Sequence, residues 1–403
     1  MTGQVAAGSR IRIGRVYLFA LLGWTFDFYD LVLLGFMKDP VARDLHLSRP
    51  EQAWLLGVAL GASGVGGIVA GALADRIGKR TMLAWTVMIY SIGSLLCGIA
   101  GGARAFVLGR AVVGLGVGGE WAIGHGMLAE AARPDRRGRW AAALQSGEPI
   151  GVALATIVGY VVLPRVGWRA VLVGSSATAF IALAVRRSVY LPDVPAPRAN
   201  AVHRLLQARV GRRLVAAWVL GVCKLGTYWT CYTWLPSFLR DMHQAVSRSL
   251  AWMLTAQIGQ LIGMLTFGLV SDRIGRRPAF AMYSLATASA LAPLAFAWQT
   301  LSAHPFVFWA TMFVLGVGSG CTAGFGALLA ELFPSEVRGV AMGATYNLAR
   351  TAQLIAPVVV QAAVARAGLA GGLSVPLLLA IATAAWVWVL PETRGIALPT
   401  LHR

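Results

Sequence analysis

The sequence contains few charged residues for its length. Of its 403 residues, 13% are charged and 57% are hydrophobic, whereas about a quarter of the residues in a soluble protein are charged. The mean hydropathy is +0.68. This composition argues against a string of soluble domains and favours a chain that is surrounded by hydrocarbon. The lipid bilayer is therefore the first partner that the sequence predicts.

Cysteine is scarce, and signatures of bound cofactors are missing. Four cysteines fall in apolar stretches, and none has CxxC or metal-type spacing. We interpret them as small buried hydrophobic residues and predict no metal site. The sequence has no Walker loop, and Gly114-x-Gly116-x-x-Gly119 lies inside an apolar stretch, where it indicates close helix packing instead of a dinucleotide site. We therefore predict no cofactor, no catalytic residues and no enzyme activity.

Long apolar stretches dominate what is present. A helix needs about 20 mostly apolar residues to cross a bilayer, and none of these stretches alternates as the strands of a membrane β-barrel do. We therefore predict an all-α membrane protein with twelve transmembrane helices. The predicted spans are 16–37, 53–74, 81–100, 105–131, 140–163, 168–185, 214–239, 249–270, 278–298, 305–331, 340–363 and 372–390.

Basic residues are unevenly distributed among the predicted loops. Of 35 Lys and Arg residues, 23 lie in one set of alternate segments, and the positive-inside rule places that set in the cytoplasm together with both termini. The net charge of +19 is then a topology signal, and no nucleic-acid partner is predicted. The segments are 1–15, 75–80, 132–139, 186–213, 271–277, 332–339 and 391–403.

The two halves of the sequence repeat each other. Residues 71–80 (GALADRIGKR) recur at 268–277 (GLVSDRIGRR), and residues 115–119 (LGVGG) recur 200 positions later as LGVGS. Duplicated bundles of this kind bind substrate at their interface near the bilayer midplane and give alternating access by rocking. We predict an N-terminal six-helix bundle in 1–185, a cytoplasmic linker in 186–213 and a C-terminal six-helix bundle in 214–403.

These motifs carry a family resemblance. The paired Asp-Arg-x-Gly-Lys/Arg-Arg loops resemble the signature of the major facilitator superfamily over nearly the whole chain. Further motifs resemble those shared by its sugar and metabolite branches, namely Arg110-x-x-x-Gly114-x-Gly116, Pro334…Arg338-Gly339 and Pro391-Glu-Thr-Arg394-Gly395. The resemblance implies two pseudo-symmetric six-helix bundles and secondary transport.

Shorter motifs point to the metabolite:H⁺ symporter branch. Asp27-Phe-Tyr-Asp30 resembles the Asp-Gly-Phe/Tyr-Asp motif of aromatic acid symporters, with Phe28 in place of the glycine. The stretches 228–236 (YWTCYTWLP) and 346–350 (YNLAR) are similar to those of organic-acid and sialate symporters. The Gln-Gln pair usual in sugar porters is missing from the first of them. The resemblance therefore implies an organic acid more than a sugar.

The repeated loops also suggest a conformational latch. An acidic residue lies beside several basic ones where one helix ends and the next begins, so charge pairs can hold one conformation and release it. The alternative is that the basic residues serve topology alone. The predicted latch residues are Asp75, Arg76, Lys79, Arg80, Asp272, Arg273, Arg276 and Arg277.

Ionisable residues inside membrane spans indicate function, because burying them costs free energy. Asp27 and Asp30 are three residues apart and share a helix face. Two carboxylates in a medium of low dielectric constant cannot both ionise cheaply, so at least one is expected to carry a proton. The alternative is a static ion pair with Arg110. In the branches that this chain resembles, a carboxylate and an arginine of this kind form the proton-coupling pair.

The internal repeat identifies further candidates. Arg110 and Glu120 correspond to Ala310 and Gly320, so the duplicated scaffold does not require these charges. His125 is interpreted as a packing histidine. The predicted proton-coupling residues are Asp27, Asp30, Arg110, Glu120 and Glu148.

The second half of the sequence supplies buried cations. Lys224 lies in the seventh span, and Arg350 follows Asn347 in the eleventh. A guanidinium can bind a carboxylate through two parallel hydrogen bonds. The alternative is that Lys224 or Arg350 pairs internally with a carboxylate of the first half. The predicted substrate-binding residues are Gln145, Lys224, Tyr228, Tyr346, Asn347 and Arg350.

Together these features predict a secondary active transporter. It carries a small carboxylate metabolite together with a proton, by alternating access, and functions as a monomer. The Ala- and Arg-rich composition and the short loops favour a bacterial inner membrane. The alternatives on the same fold are a sugar or polyol symporter and a drug or metabolite antiporter. A membrane sensor is disfavoured, since no soluble signalling domain is predicted.

Overall fold

The computed structural model describes residues 13–47, 49–181, 184, 208–241, 246–335 and 337–396. The described part is built from helices and the turns between them. The helices of the first half are α1 Ile13–Asp44, α2 Arg49–Ile77, α3 Lys79–Gly98, α4 Ala103–Ala131, α5 Arg137–Gln145, α6 Gly147–Ile157 and α7 Leu163–Ser175. Those of the second half are α8 Ala208–Asp241, α9 Val246–Ile274, α10 Arg276–Phe296, α11 Trp298–Ala303, α12 Pro305–Ser319, α13 Gly324–Leu332, α14 Arg338–Thr351 and α15 Ala356–Trp386.

Among the described residues, eight helical stretches are long and apolar enough to cross a membrane. They are Ile13–Met37, Lys79–Gly98, Ala103–Ala131, Val210–Cys231, Ala251–Ile274, Arg276–Phe296, Pro305–Leu332 and Ala370–Val389. Each coincides with a predicted span. A multi-pass, all-helical architecture is therefore established, while the count of twelve spans stays a prediction.

Several long helices are broken near the middle of the molecule. The fifth predicted span is divided between α5 and α6 at Ser146, and a π-helical turn follows at Val158–Val162. Short 3-10 turns at Gly320–Ala323 and Ala352–Ile355 separate α12 from α13 and α14 from α15. The backbone at Gly368 has a φ of 56° and ends the helical run of the eleventh predicted span. Broken helices often line substrate sites in transporters.

The helices of each half pack chiefly on one another. In the first half α4 lies against α2 and α3, and α1 lies against α6; in the second, α9 and α10 lie against α12, and α15 lies against α8 and α10. The halves meet where α2 contacts α14 and where α5 contacts α9. The division of the chain at a linker in 186–213 stays a prediction, because most of that segment lies outside the described residues.

The repeated loops make the same turn in both halves. Gly78 joins α2 to α3 with a φ of 92°, and Gly275 joins α9 to α10 with a φ of 107°. Residues other than glycine rarely adopt such backbone angles, so both positions require glycine. The end of the bundle that carries these loops also carries Lys79, Glu130 and Asp272, and we call it the charged face.

The contact between α2 and α14 is one of backbone on backbone. A Cβ added at Gly71 would lie 2.6 Å from the carbonyl oxygen of Gly339, and one added at Gly67 would meet the side chain of Asn347. The Cα of Gly343 in turn lies against the carbonyl of Gly67. We call this contact the glycine seam; it allows the two halves to approach without intervening side chains.

Candidate functional site

One buried ion pair lies within the first half. Nη1 of Arg110, on α4, donates to Oδ2 of Asp30, on α1, at 2.7 Å, and Ser94 donates to Oδ1 at 2.9 Å. Both charged side chains are nearly inaccessible to solvent. The pairing of Arg110 with an aspartate therefore involves Asp30, and Asp27 is not its hydrogen-bond partner.

Asp27 and Glu120 form a second pair, of two carboxyl groups. Both are buried, and none of their four oxygens has a hydrogen-bond donor among the described residues. Each lies within hydrogen-bonding range of the other, and Glu120 packs directly on the Cα of Gly23, one turn before Asp27. Two ionised carboxylates cannot hydrogen-bond each other, whereas a carboxylic acid and a carboxylate can. The pair is therefore arranged to share a proton.

Glu148 has a different environment at the break between α5 and α6. Its two oxygens accept hydrogen bonds from Gln145 and Gln260, each at 2.8 Å, and Tyr228 is a third hydrogen-bond neighbour. Lys224 lies within electrostatic range. Two amide donors and a nearby cation thus face Glu148, whereas no donor faces the Asp27–Glu120 pair among the described residues.

Gln260 is a site residue that the sequence reasoning missed. It lies on α9, is fully buried, and connects the second half to Glu148 in the first half. The sequence does carry a signal for it, because a glutamine in the middle of an apolar span needs a polar partner. No ionisable residue accompanies it in the same predicted span, 249–270, so the sequence gives no charged neighbour to mark its position.

Two buried cations of the second half have no hydrogen-bond partner among the described residues. These are the Nζ of Lys224 and all three guanidinium nitrogens of Arg350, and both side chains are 1% exposed. The guanidinium of Arg350 lies 5.6 Å from the ring of Phe28 and 5.8 Å from the ring of Trp229. Aromatic faces attract a cation but leave its N–H groups free. Arg350 is thus positioned by α1 and α8 and remains available to an anion.

Aromatic and amide contacts join the two halves beside these charges. Tyr346 stacks on Trp121 with ring centroids 3.9 Å apart. Asn347 donates from Nδ2 to the carbonyl of Gly118 at 2.7 Å. His125 bonds through Nδ1 to the carbonyl of Trp121 at 3.0 Å, and its ring packs on Gly326, which agrees with its interpretation as a packing residue.

We call this group the midplane cluster. Carboxyl groups lie on its first-half side and free cations on its second-half side. Within the described residues, no group of three or more His, Cys, Asp or Glu side chains could hold a metal ion. The cluster comprises Asp27, Glu120, Gln145, Glu148, Lys224, Tyr228, Gln260, Tyr346, Asn347 and Arg350.

The charged face carries a second network. Asp272 bonds Arg276 at 2.5 Å and also accepts the backbone N–H groups of Gly138 and Arg139, at 3.2 and 3.1 Å. These amides lie at the start of α5, where the N-terminus of a helix favours an anion. Arg276 also donates to Glu331, at 2.9 and 3.1 Å. Asp272 therefore ties α9 to α5 across the two halves.

The other predicted latch residues have varied surroundings. Lys79 pairs with Glu130, which also accepts from Arg338 of the second half at 3.1 Å. Arg277 lies over the ring of Trp388 and donates to its carbonyl. Arg76 and Arg273 are exposed and Arg80 is partly buried. The side chain of Asp75 lies outside the described part of the chain.

Comparisons with known proteins concern the chain as a whole. The profile of the Major Facilitator Superfamily matches residues 16–256 and 245–400. The sialic acid transporter NanX of Escherichia coli is 29% identical over 84% of each chain. The cis,cis-muconate transport protein of Acinetobacter baylyi is 26% identical over 86% of this chain and 88% of its own length.

The fold has counterparts among solved structures. The proton:xylose symporter XylE superimposes with a TM-score of 0.79, over 96% of this chain and 97% of that protein. The two sequences are 19% identical, so this likeness concerns the fold alone.

Proposed function

Because this chain belongs to the Major Facilitator Superfamily, and is a multi-pass membrane transporter and not an enzyme, we propose that it carries a small organic acid together with a proton. Transport would proceed by alternating access between two six-helix bundles of a twelve-helix protein. Both termini would lie in the cytoplasm of a bacterial cell, and the protein would function in the inner membrane as a monomer.

The observation that carries this proposal is the pair of free cations Lys224 and Arg350. Their N–H groups are buried without a hydrogen-bond partner among the described residues, which costs free energy, and an entering carboxylate can accept hydrogen bonds at both positions. Arg350 can bind the carboxylate through two parallel hydrogen bonds, while Lys224 acts as a point charge. The relatives named for sialic acid and cis,cis-muconate transport carry acids, which supports the same substrate class.

The Asp27–Glu120 pair is the proposed proton carrier. Asp30 and Arg110 already neutralise each other, and Glu148 balances one cation of the second half. One proton shared by Asp27 and Glu120 then makes the empty midplane cluster neutral. A bound monocarboxylate adds one negative charge, and a second proton on this pair restores neutrality.

The charged face supplies the proposed latch. Asp272 and Glu130 each contact both halves, so breaking these contacts frees the halves to rock. Lys79, Arg276 and Arg338 provide the countercharges. In the conformation described, this end is held together by polar contacts, which closes the predicted cytoplasmic side.

A sugar symporter is the second candidate, favoured by the structural likeness to XylE. A neutral sugar would satisfy hydrogen-bonding groups in the midplane cluster but would bring no negative charge to Lys224 and Arg350. A cationic antiport substrate would meet those same cations. The charges therefore favour the acid.

The proposal is tested with purified protein in proteoliposomes. Radiolabelled benzoate, lactate and sialate are offered at acidic and at neutral outside pH, with and without a protonophore. We expect at least one acid to be taken up faster at acidic pH, with loss of the stimulation when the protonophore is added. Uptake of xylose but of no acid would contradict the proposal, as would acid uptake that is independent of pH.

A further inference from the structure

The side-chain amide of Gln260 has a hydrogen-bond partner at its nitrogen but none at its oxygen among the described residues. Its Nε2 donates to Oε1 of Glu148 at 2.8 Å, while its own Oε1 has no hydrogen-bond partner among the described residues. The side chain is fully buried. A buried acceptor without a donor costs free energy and is rare in folded proteins, so this oxygen is expected to gain a donor during the transport cycle.

The orientation of this amide is fixed by its partner. Glu148 also accepts from Gln145, and its Oε1 accepts from the Nε2 of Gln260. The nitrogen of Gln260 therefore points toward Glu148. The oxygen is therefore directed away from Glu148, and a flipped amide would place two acceptors together.

Asn347 repeats this arrangement on α14. Its Nδ2 donates to the carbonyls of Gly118 and Gly343, at 2.7 and 3.1 Å, and its Oδ1 has no partner in the described part of the chain. Carbonyl groups also only accept, so the orientation of this amide is fixed in the same way. The midplane cluster thus contains two amide oxygens with fixed positions and no donor.

The two buried cations of the midplane cluster have another role in the proposed function. Lys224, which faces the same Glu148 carboxyl group as Gln260, and Arg350 bind the substrate carboxylate there. A hydrogen-bond donor for Gln260 can then come from the ligand. In the empty carrier a water molecule can donate to the oxygen of Gln260. A substrate that displaces this water without donating a hydrogen bond in its place binds with lower affinity.

We infer that Gln260 is a specificity-determining residue whose Oε1 accepts a hydrogen bond from a hydroxyl or N–H group of the substrate. Asn347 Oδ1 is the second such acceptor. The substrate is therefore an organic acid that carries a hydrogen-bond donor in addition to its carboxylate. This inference rests on the proposed function, because it takes the carboxylate as the group bound by the cations.

This assignment couples recognition to closure of the halves. The nitrogen of Gln260 bonds the first half while its oxygen binds the ligand, and Asn347 does the same at the other contact between the halves. A donor on the substrate fixes both amides and so favours the joined conformation. An acid without a donor leaves the oxygens unsatisfied and binds more weakly.

The first test uses the unaltered protein and matched ligands. Binding of benzoate, of its three hydroxy isomers and of the corresponding methoxy isomers is measured by calorimetry in detergent, and hexanoate is compared with 6-hydroxyhexanoate and 6-methoxyhexanoate. We expect the best hydroxy acid to bind at least about tenfold more tightly than both its parent and its methyl ether. Equal affinities within every set would overturn the inference.

A second test uses the nearly isosteric variant Gln260→Met, with Gln299→Met at an exposed position as control. We expect affinity for the best hydroxy acid to fall by about tenfold while affinity for its parent changes by less than about threefold. Gln260→Asn, which keeps a shorter amide, should retain part of the preference. An equal loss for hydroxy acid and parent would reduce Gln260 to a support for Glu148 and reject the inference.

The outcomes also separate this inference from the proposed function. If methyl benzoate or xylose binds and none of the acids does, the proposed function fails and the inference fails with it. If acids bind regardless of their hydroxyl groups, the inference alone fails.

Discussion

At the scale of single residues, Arg350 differs from most buried arginines because its guanidinium nitrogens have no hydrogen-bond partner among the described residues. Two aromatic rings hold its guanidinium in place, and a lysine at this position would keep the charge without the planar fork. We expect Arg350→Lys to weaken binding of a transported acid by about ten- to a hundredfold, the loss of one charge-assisted hydrogen bond. Calorimetry in detergent measures this change.

The control for this variant is Arg366→Lys. Arg366 is exposed, so the same exchange there should leave affinity unchanged. Equal affinity of the Arg350→Lys variant and the native protein would show that the guanidinium does not contact the carboxylate.

Asp27 and Asp30 share a face of α1, but we expect replacing each by asparagine to affect stability and transport differently. Asp30→Asn leaves Arg110 buried without its counterion, which costs about 3–5 kcal/mol, so its thermal unfolding temperature should fall sharply. Asp27→Asn removes a carboxyl group that accepts no hydrogen bond from a neutral or basic side chain among the described residues, so the protein should stay as stable as the native one. The pH dependence of its acid-stimulated uptake should nevertheless shift, because Glu120 alone then carries the transported proton.

Thermal unfolding in detergent and uptake by proteoliposomes check this pair of variants. Similar destabilisation by both substitutions would contradict the assignment of the ion pair to Asp30. Normal acid stimulation in Asp27→Asn would remove Asp27 from proton coupling.

At the scale of helices, the glycine seam predicts that the effect of a glycine-to-valine substitution on transport depends strongly on its position along α2. Gly67→Val would push α2 away from Asn347 and Gly118, so the halves could not close there and transport should be abolished. Gly61→Val lies on the same helix but has nothing within 4 Å of an added Cβ. Uptake by proteoliposomes should therefore remain near the native rate in this control.

Single-cysteine labelling at the charged face complements the uptake assay. Gly67→Val should increase reactivity there, because the contacts across the halves are broken. Native uptake by this variant would show that the seam does not have to close during transport.

The N-terminus of α10 is held by Glu392, which lies beyond the last membrane span. Burial alone would raise the pKa of Glu392, but hydrogen bonds from the backbone N–H groups of Arg276, Arg277, Arg394 and Thr393 outweigh it and lower the pKa. A lowered pKa in the folded state stabilises the protein above the ordinary carboxyl pKa, and this contribution is lost as pH falls through the folded value.

We therefore expect Glu392→Gln to lower the unfolding temperature at neutral pH. The difference from the native protein should shrink as pH falls below about 4, the ordinary range of a glutamate. Thermal unfolding at several pH values measures it. A difference that is constant with pH would show that the charge of Glu392 contributes nothing.

The elements were more predictable from sequence than the contacts between them. Apolar length gave the eight long stretches, and the repeated glycines marked the turns at Gly78 and Gly275, because both signals are local. The partner of Arg110 was not predictable: Asp27 and Asp30 share a helix face, and only the rotation of α1 selects Asp30. The stack of Trp121 on Tyr346 depends on how the two halves approach, which no local pattern encodes.

At the scale of the whole molecule, the charges of the midplane cluster predict electroneutral transport. One proton accompanies one monocarboxylate, so no net charge crosses the membrane. In proteoliposomes with a potential imposed by potassium and valinomycin, acid-driven uptake should be insensitive to the sign of the potential. Stimulation by a negative interior would indicate more than one proton for each anion, and inhibition would indicate none.

The double variant Asp27→Asn/Glu120→Gln provides a matched test of this balance. It removes both carboxyl groups of the pair, so the transported proton has no site. Uptake should lose its dependence on pH and become inhibited by a negative interior. Retention of electroneutral symport would exclude the Asp27–Glu120 pair as the proton carrier.

The glycine seam has a consequence for the speed of the transport cycle. Surfaces that separate and rejoin usually immobilise side chains each time they meet, at a cost of up to about 2 kcal/mol for each long side chain. Gly67, Gly71 and Gly343 have no side chains to immobilise, so this contact can form and break many times without that entropic penalty. The kinetic barrier to the proposed rocking is then concentrated in the polar bridges between the halves. Those of Asp272 and Glu130 lie at the charged face, and those of Gln260 and Asn347 lie in the midplane cluster, where the substrate itself can influence them.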